Sequence, residues 1–243
     1  MQKNKLSSGR LNDNEIMQRL MHNVWDKKII ITPLISLKDQ LGSNSLDLRL
    51  GTEFIVTERP NYTHIDPLDA KIEEQEIKFR LIKRLSPLKP FILHPREFAL
   101  GSTLEYIKIP NDLVGHLEGR STWARMGTLV HLTAGLIHPG SAGTITFELL
   151  NAGDVPIKLY PGIRIAQLVF YTLNEPLKSY EIKFGAKYSG NLRVSKPIYW
   201  NDMEIDILRD SRDKGKTNLE NLKLKEMEIE NRRLRFKSSG SGL

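Results

Sequence analysis

The segment Gly143-Thr-Ile-Thr-Phe-Glu-Leu-Leu-Asn-Ala-Gly153 is bounded by glycines and alternates along its length. Ile145, Phe147 and Leu149 fall on one side of an extended backbone, and Thr144, Thr146 and Glu148 on the other, as a side-chain period of two requires. The segment therefore predicts a β-strand with one apolar and one polar face. Periodicity alone reads Glu148 as an exposed edge carboxylate set beside two hydroxyls.

The same texture continues outward in both directions. From Lys28 to about Tyr171 the chain is a series of short apolar runs broken by Gly, Pro, Asn and Asp: IIITPLISL, LDLRLG, EFIVTE, IKFRLIKRL, FILHP, EYIKIP, TLVHLTAGLI and IKLYPGIRIAQLVFYTL. Short strands with turn signals at this spacing predict a compact all-β barrel or sandwich. Ahead of it, a polar stretch over residues 1–11 is expected to be disordered. Asn12 and Asp13 then cap a short helix whose Ile16, Leu20 and Met21 share one face. Beyond Asn174 the pattern loosens through FGAKYSGN. Leu219 to Phe236 reads as a helix without a clean heptad seam, either a solvated helix or a coil that binds an unidentified partner. SSGSGL at 238–243 has flexible-linker composition. The expected organisation is a disordered 1–11, a folded domain over 12–195, a partly helical extension over 196–237 and a flexible end.

Composition narrows the function classes. The 243 residues are 40% hydrophobic and 27% charged, ordinary values for a globular chain. No apolar run approaches the ~18 residues that span a bilayer, so a membrane partner is not expected. The first thirty residues lack the basic, apolar, small-residue succession of a secretory signal, and the expected location is cytoplasmic. With no Cys, disulfide frameworks, thiol nucleophiles and thiolate zinc sites are excluded. The net charge of +7 raises nucleic acid as a partner, but its distribution argues otherwise. Arg209 to Lys237 carries 10 basic against 6 acidic side chains, leaving a weakly basic body that suits a small anionic substrate better than a duplex.

Gly119-Arg-Ser-Thr-Trp-Ala-Arg-Met-Gly127 is a polar, basic island between two strand-like runs. If Arg120 to Met126 form a turn and a half of helix, Ser121 and Arg125 are an i, i+4 pair on one face and Trp123 turns toward the core. The segment is either a phosphate cradle, with a hydroxyl and two guanidiniums at a helix start, or a capped helix whose arginines pair with nearby acids.

The run LVGHLEGRSTWARMGTLVHLTAGLIHPGSAGTITFELLNAGDVPIKLYPGIRIAQLVF (113–170), preceded by NSLDLRLGTEF and FALGSTLEYIKIP and followed by AKYSGN, closely resembles the dCTP deaminases. These share a fold with the trimeric dUTPases. The resemblance covers roughly residues 15–195. It implies an all-β distorted barrel or jelly-roll of the dUTPase-like type, a homotrimer with active sites between subunits, and hydrolytic deamination of dCTP to dUTP and ammonia in deoxynucleotide metabolism. On this likeness Glu148 is the general acid/base rather than an idle edge residue. Arg120, Ser121 and Arg125 line the triphosphate and catalytic wall, and Thr133 and Ala134 lie beside the base and the attacking water. Thr146 is counted with the substrate contacts, and Gln167 falls in the phosphate-contacting IAQLVF. Tyr180, Lys187, Tyr188 and Asn191 belong to the segment that closes over the nucleotide, with Asn191 in place of the more usual Gln. His131 is expected as a structural or regulatory neighbour.

Deamination asks one group to do several things. Water must lose a proton to attack C4 of cytosine, N3 must gain one, and the amine must leave protonated, so a single carboxyl that accepts and returns protons serves every step. The zinc-dependent alternative needs a P-C-x-x-C element that a Cys-free chain cannot contain. Magnesium is expected only on the triphosphate oxygens and water, with no protein-bound zinc. Two positions depart from the family pattern. His138 stands where an Asp is usual, and either hydrogen-bonds the 3′-hydroxyl or caps its turn. Ser141 stands where an aromatic ring usually packs on the deoxyribose. Two other readings stay open: a bifunctional enzyme that carries dUTP on to dUMP, and a nucleotide-sensing regulatory module on the same fold.

Overall fold

The computed structural model describes residues 9–57, 64–69, 71–174, 188, 190–199 and 202–213. In chain order the elements are α1 (Asp13–Leu20), β1 (Ile30–Thr32), α2 (Leu37–Gln40), β2 (Leu46–Thr57), α3 (Ile72–Phe79), β3 (Arg80–Arg84), β4 (Phe91–Leu93), β5 (Phe98–Lys108), β6 (Leu113–Gly119), α4 (Ser121–Ala124), β7 (Thr128–Leu129), β8 (Leu136–Ile137), β9 (Ala142–Asn151), β10 (Ile157–Leu159), β11 (Arg164–Thr172) and α5 (Met203–Asp213). The chain divides into two compact units, one of residues 1–58 with 80–196, the other of 59–79 with 197–243.

The first unit is a curled antiparallel sheet. Its strands run β7-β9-β5-β2-β11-β6-β8, with β1 added to β5 and β3 to β2, and β4 pairs with β10 separately. Two long strands bend to make this possible. β2 pairs through residues 46–49 with β11 and through 53–57 with β3, and its register against β5 slips between Leu50 and Phe54. Gly51 sits at that slip, where a Cβ would stand 2.8 Å from Ser102 Oγ; only a residue without one lets the backbones approach so closely. The bends wrap the sheet around a core of Leu46, Leu48, Leu50, Phe54, Phe147, Leu149, Ile165, Leu168 and Phe170, all essentially without exposure, and Phe54 stacks on Phe91 at 4.4 Å.

β9 alternates as its sequence predicts: Ile145, Phe147 and Leu149 are buried, and Thr144, Thr146 and Glu148 lie half-buried on the other face. α1 also forms where expected, with Asn12 and Glu15 closing a reciprocal capping box. Three expectations need correction. Met21 ends the helix and is 66% exposed, so the buried face is carried by Ile16 and Arg19 instead. Arg19 is buried because it is paired: its guanidinium meets Asp112 at 2.7 Å and the Lys27 carbonyl at 3.0 Å. Residues 9–11, expected to be disordered, run beside β11, and fully buried Leu11 donates its N–H to the Phe170 carbonyl. The run IKFRLIKRL is not one strand, because Ile77-Lys78-Phe79 closes α3 and only Arg80–Arg84 is extended.

In the second unit, Arg209 and Arg212 of α5 both donate to the Leu68 carbonyl, and Arg212 reaches Asp66 at 3.3 Å. Burial of Ile207 anchors the helix. The Leu219–Phe236 helix and the 238–243 end lie outside the described residues.

Candidate active site

The polar face of β9 meets the chain that leaves β7. Thr128 and Leu129 pair with Asn151 and Leu150, and the last rung is the Glu148 N–H on the Val130 carbonyl at 3.0 Å. Past Val130 the backbone turns out of the ladder, and the Glu148 carboxylate takes up the next two donors. Its Oε2 accepts from Leu132 N–H at 2.7 Å and Thr133 N–H at 3.2 Å. A carboxylate held on two amides has a fixed orientation. Thr133 and Ala134 follow in an exposed loop, so the expected neighbours of the base stand directly beside the expected proton carrier.

His131 lies inside the same loop. Its buried Nδ1 has no hydrogen-bond partner among the described residues, and its ring stands edge-on to His116 at 6.1 Å. Gly135 fits beneath it, since a Cβ there would come within 3.2 Å of the ring and of the Leu117 carbonyl.

A second cluster forms where β6 runs into α4. Arg120 is the N-cap of this single turn, and the Arg125 N–H bonds the Ser121 carbonyl, so Ser121 and Arg125 are the expected i, i+4 pair; both are exposed. Trp123 is half-buried, packs on the core and donates Nε1 to the Arg164 carbonyl at 2.9 Å. Arg120 is both a cradle residue and a paired one. Its Nε contacts Asp47 Oδ2 at 3.1 Å, and its Nη1 donates to the Arg164 carbonyl. Gln167 lies in register between Asp47 of β2 and Glu118 of β6. Its amide makes long contacts of 3.4 Å with Ser45 Oγ and the Gly119 carbonyl.

Asp47 and Arg164 are the members of this cluster that the sequence did not single out. Arg164 contacts the same Oδ2 as Arg120, at 3.3 Å, and also donates to the Asp39 carbonyl. Burial pushes the Asp47 carboxyl upward, and Arg120, Arg164 and Arg49 pull it back. Polar positions at a period of two in LDLRLG were the available signal for Asp47.

The closing segment is placed only in part, with Tyr180 and Lys187 outside the described residues. Tyr188 is 41% exposed. Asn191 is committed to the edge of β9: its carbonyl accepts the Thr144 N–H at 2.7 Å, and its side-chain amide donates to Ser195 Oγ at 2.6 Å. Thr146 Oγ1 accepts the Ser195 N–H at 3.3 Å. Within the chain Asn191 therefore bonds the strand that carries Thr146, and Thr146 bonds the segment that carries Asn191. His138 and Ser141 close a turn, Ser141 N–H on the His138 carbonyl at 3.1 Å.

The curled antiparallel sheet thus carries a carboxylate on a hydrogen-bonded polar strand face and a guanidinium cluster at a strand-to-helix turn. Residues 11–173 match the family described as dCTP deaminase-like, and the chain belongs to that family. It is 41% identical over 179 residues to the "dCTP deaminase, dUMP-forming" of Dictyoglomus turgidum, covering 73% of this chain and 88% of that one. It is 43% identical over 201 residues to the "dCTP deaminase" of Thermomicrobium roseum, covering 82% and 98%. The crystal structure of 2′-deoxycytidine 5′-triphosphate deaminase from Agrobacterium tumefaciens shares the fold, at TM-score 0.51 and 21% identity over 68% of this chain; the chain spans about half of that structure's length, 48%. Among the described residues no helix is long and apolar enough to cross a membrane.

Proposed function

We propose that this chain deaminates dCTP hydrolytically, releasing ammonia and leaving dUTP, with Glu148 as the proton carrier. The observation that carries the reading is the Glu148 carboxylate seated on the Leu132 and Thr133 amides in a chain of the dCTP deaminase-like family. One oxygen is occupied by the amides, and the carboxyl carries two protons in turn: it takes one from water as C4 is attacked and delivers it to N3, then takes the remaining proton of the new C4 hydroxyl and passes it to the amine, which leaves as ammonia as the C4–N bond breaks and the C4 carbonyl forms. Thr133 and Ala134 border the base and the water. Arg120, Ser121 and Arg125 receive the triphosphate, and Arg125 and Ser121 are exposed and one helical turn apart. Gln167, His138, Thr146, Tyr180, Lys187, Tyr188 and Asn191 complete the proposed substrate contacts. Magnesium accompanies the triphosphate on its own oxygens and water.

The assembly belongs to the same reading. Glu148 and Arg120 each have their own partners within the chain, and Leu132 and Leu136 beside the loop are 42% and 52% exposed. The resemblance to the trimeric dUTPases supports a homotrimer in which one subunit's guanidinium cluster faces the carboxylate of the next, and the exposed leucines offer apolar surface for such a contact.

The test is a product assay that follows ammonia and pyrophosphate separately. Wild type should release ammonia from dCTP, and Glu148→Gln, which keeps the shape but cannot carry protons, should not. Ammonia release at the wild-type rate in that variant sinks the mechanism. A second reading, deamination followed by cleavage to dUMP, is supported by the dUMP-forming name of the D. turgidum relative. Pyrophosphate released from dUTP decides for it.

A further inference from the structure

Two guanidiniums converge on one oxygen in the cluster below α4. Arg120 Nε and Arg164 Nη1 stand 3.1 and 3.3 Å from Oδ2 of Asp47. The three come from different strands or strand ends: Asp47 from β2, Arg164 from the start of β11, Arg120 from the end of β6. What brings Arg164 to this face is a register slip in β11 between Arg164 and Ala166, which buries both Ile165 and Ala166 and lets Arg164 and Gln167 share the Asp47 side. The Asp47 side chain is 14% exposed and each arginine 31%, so the carboxylate lies beneath its partners. The neighbouring Arg49 has other commitments, its Nη1 on the Gly162 carbonyl and its Nε on Gln40, and its charge also faces buried Glu105. Arg120 and Arg164 thus share one carboxylate, and one positive charge in the pair is left over for an anion.

We propose that Asp47 is a positioning residue for the triphosphate: from below, it fixes the Arg120 guanidinium, with Arg164 as the second anchor of the clamp, so that the tail of the nucleotide meets a preset donor array. The inference rests on the proposed role of Arg120 in binding the phosphates. Its energetic logic is that a free arginine side chain loses rotamer freedom on gripping a phosphate, and one already pinned by a half-buried carboxylate has lost it on folding.

The inference has a sign that separates it from simple electrostatics. A carboxylate near a polyanion repels it, so removing the charge without a positioning role tightens binding; removing a positioner weakens it. Wild type, Asp47→Asn and Asp47→Glu are titrated with inorganic tripolyphosphate by calorimetry, alongside KM and kcat for dCTP and a thermal unfolding curve. In Asp47→Asn the tripolyphosphate Kd and the dCTP KM are expected to rise about tenfold, with kcat within about twofold. Asp47→Glu keeps the charge but displaces it by a methylene, and is expected to weaken binding as well. In an Arg120→Gln background the guanidinium that Asp47 positions is gone, and Asp47→Asn is expected to leave tripolyphosphate binding unchanged or tighter.

Unchanged or tighter binding in the single Asp47→Asn variant overturns the proposal. So does wild-type binding in Asp47→Glu, or further weakening by Asp47→Asn in the Arg120→Gln background. Because tripolyphosphate binding needs no turnover, a protein that shows this Asp47 dependence but releases no ammonia from dCTP sinks the deaminase reading and leaves the clamp standing.

Discussion

The Leu132 amide and the Glu148 carboxylate, 16 residues apart in sequence, meet at 2.7 Å where the β7–β9 ladder ends. The contact orients the carboxylate, yet both donors belong to exposed residues, so water replaces it cheaply. Function and stability should therefore separate at this position. Glu148→Ala is expected to lower kcat by about 10²–10⁴ while costing less than about 1 kcal/mol of stability. Paired turnover and chemical-denaturation measurements check it; a loss of several kcal/mol would make Glu148 a structural residue first.

A second carboxylate predicts a pH effect on stability rather than on turnover. Glu105 is fully buried, accepts the Arg49 N–H at 2.9 Å and receives the Gln40 amide at 3.1 Å. Burial raises its carboxyl above the ordinary 4.5, and the Arg49 N–H bond works against that rise. A raised native value means that the native state holds its proton over a window in which the unfolded chain has released it. Stability from this group is full below the unfolded value and is lost as pH rises through the native one. The stability of wild type relative to Glu105→Gln should therefore increase as the pH falls from the neutral range toward the ordinary 4.5. Urea midpoints of both proteins across that range provide the check, and parallel pH profiles would contradict it.

How far the sequence could be read depended on whether a pattern was local. β9 was legible because its two faces differ at every step from Thr144 to Leu149, and α1 because Asn12 and Glu15 form a local box. IKFRLIKRL was not, since a short apolar run fits a helix end or a strand equally well, and the acidic Glu73 and Glu74 that favour a helix start lie ahead of it. At the site, the Ser121–Arg125 spacing was read from the chain alone. Glu148 was singled out only through the family resemblance, because periodicity alone reads it as an edge carboxylate and its amide partners lie on a neighbouring loop. Asp47 with Arg164 escaped notice for a further reason: the slip at Ile165 breaks the period of two, so no alternation rule places both side chains on one face.

Gly143 offers a test of the segment that returns along β9. Its φ is +140°, and a Cβ there would stand 2.7 Å from the Asn191 carbonyl. Neighbouring bonds dock the same stretch: Gly190 N–H on the Ala142 carbonyl, Asn191 carbonyl on the Thr144 N–H, and Arg193 with Glu53 at 3.5 Å. Gly143→Ala should push residues 190–195 off the strand at a cost of about 1–3 kcal/mol. Amide exchange at Thr144 should accelerate well beyond that at Phe147, whose neighbours stay paired. Equal protection at Thr144 in both proteins would show that the segment does not depend on this approach.

The last prediction concerns the sugar. Ser141 is half-buried at the close of the His138–Ser141 turn, its carbonyl accepting the Ile109 N–H at 2.9 Å, and it begins the approach to β9. The backbone of the turn is thus fixed by bonds that do not involve the Ser141 side chain, so a larger side chain can be introduced without unmaking them. An aromatic ring at this point, as in the family pattern, excludes a ribose 2′-hydroxyl by bulk, whereas a serine hydroxyl leaves space and a hydrogen-bonding partner. Differences of this size in a pocket are worth about 1–3 kcal/mol, so wild type should prefer dCTP over CTP by roughly tens of fold. Ser141→Phe should widen that preference by about tenfold through a loss of kcat/KM on CTP, with dCTP little affected. Measuring kcat/KM for both nucleotides on both proteins decides the matter. Complete rejection of CTP by the wild type would mean that selectivity lies elsewhere and that Ser141 serves only the turn.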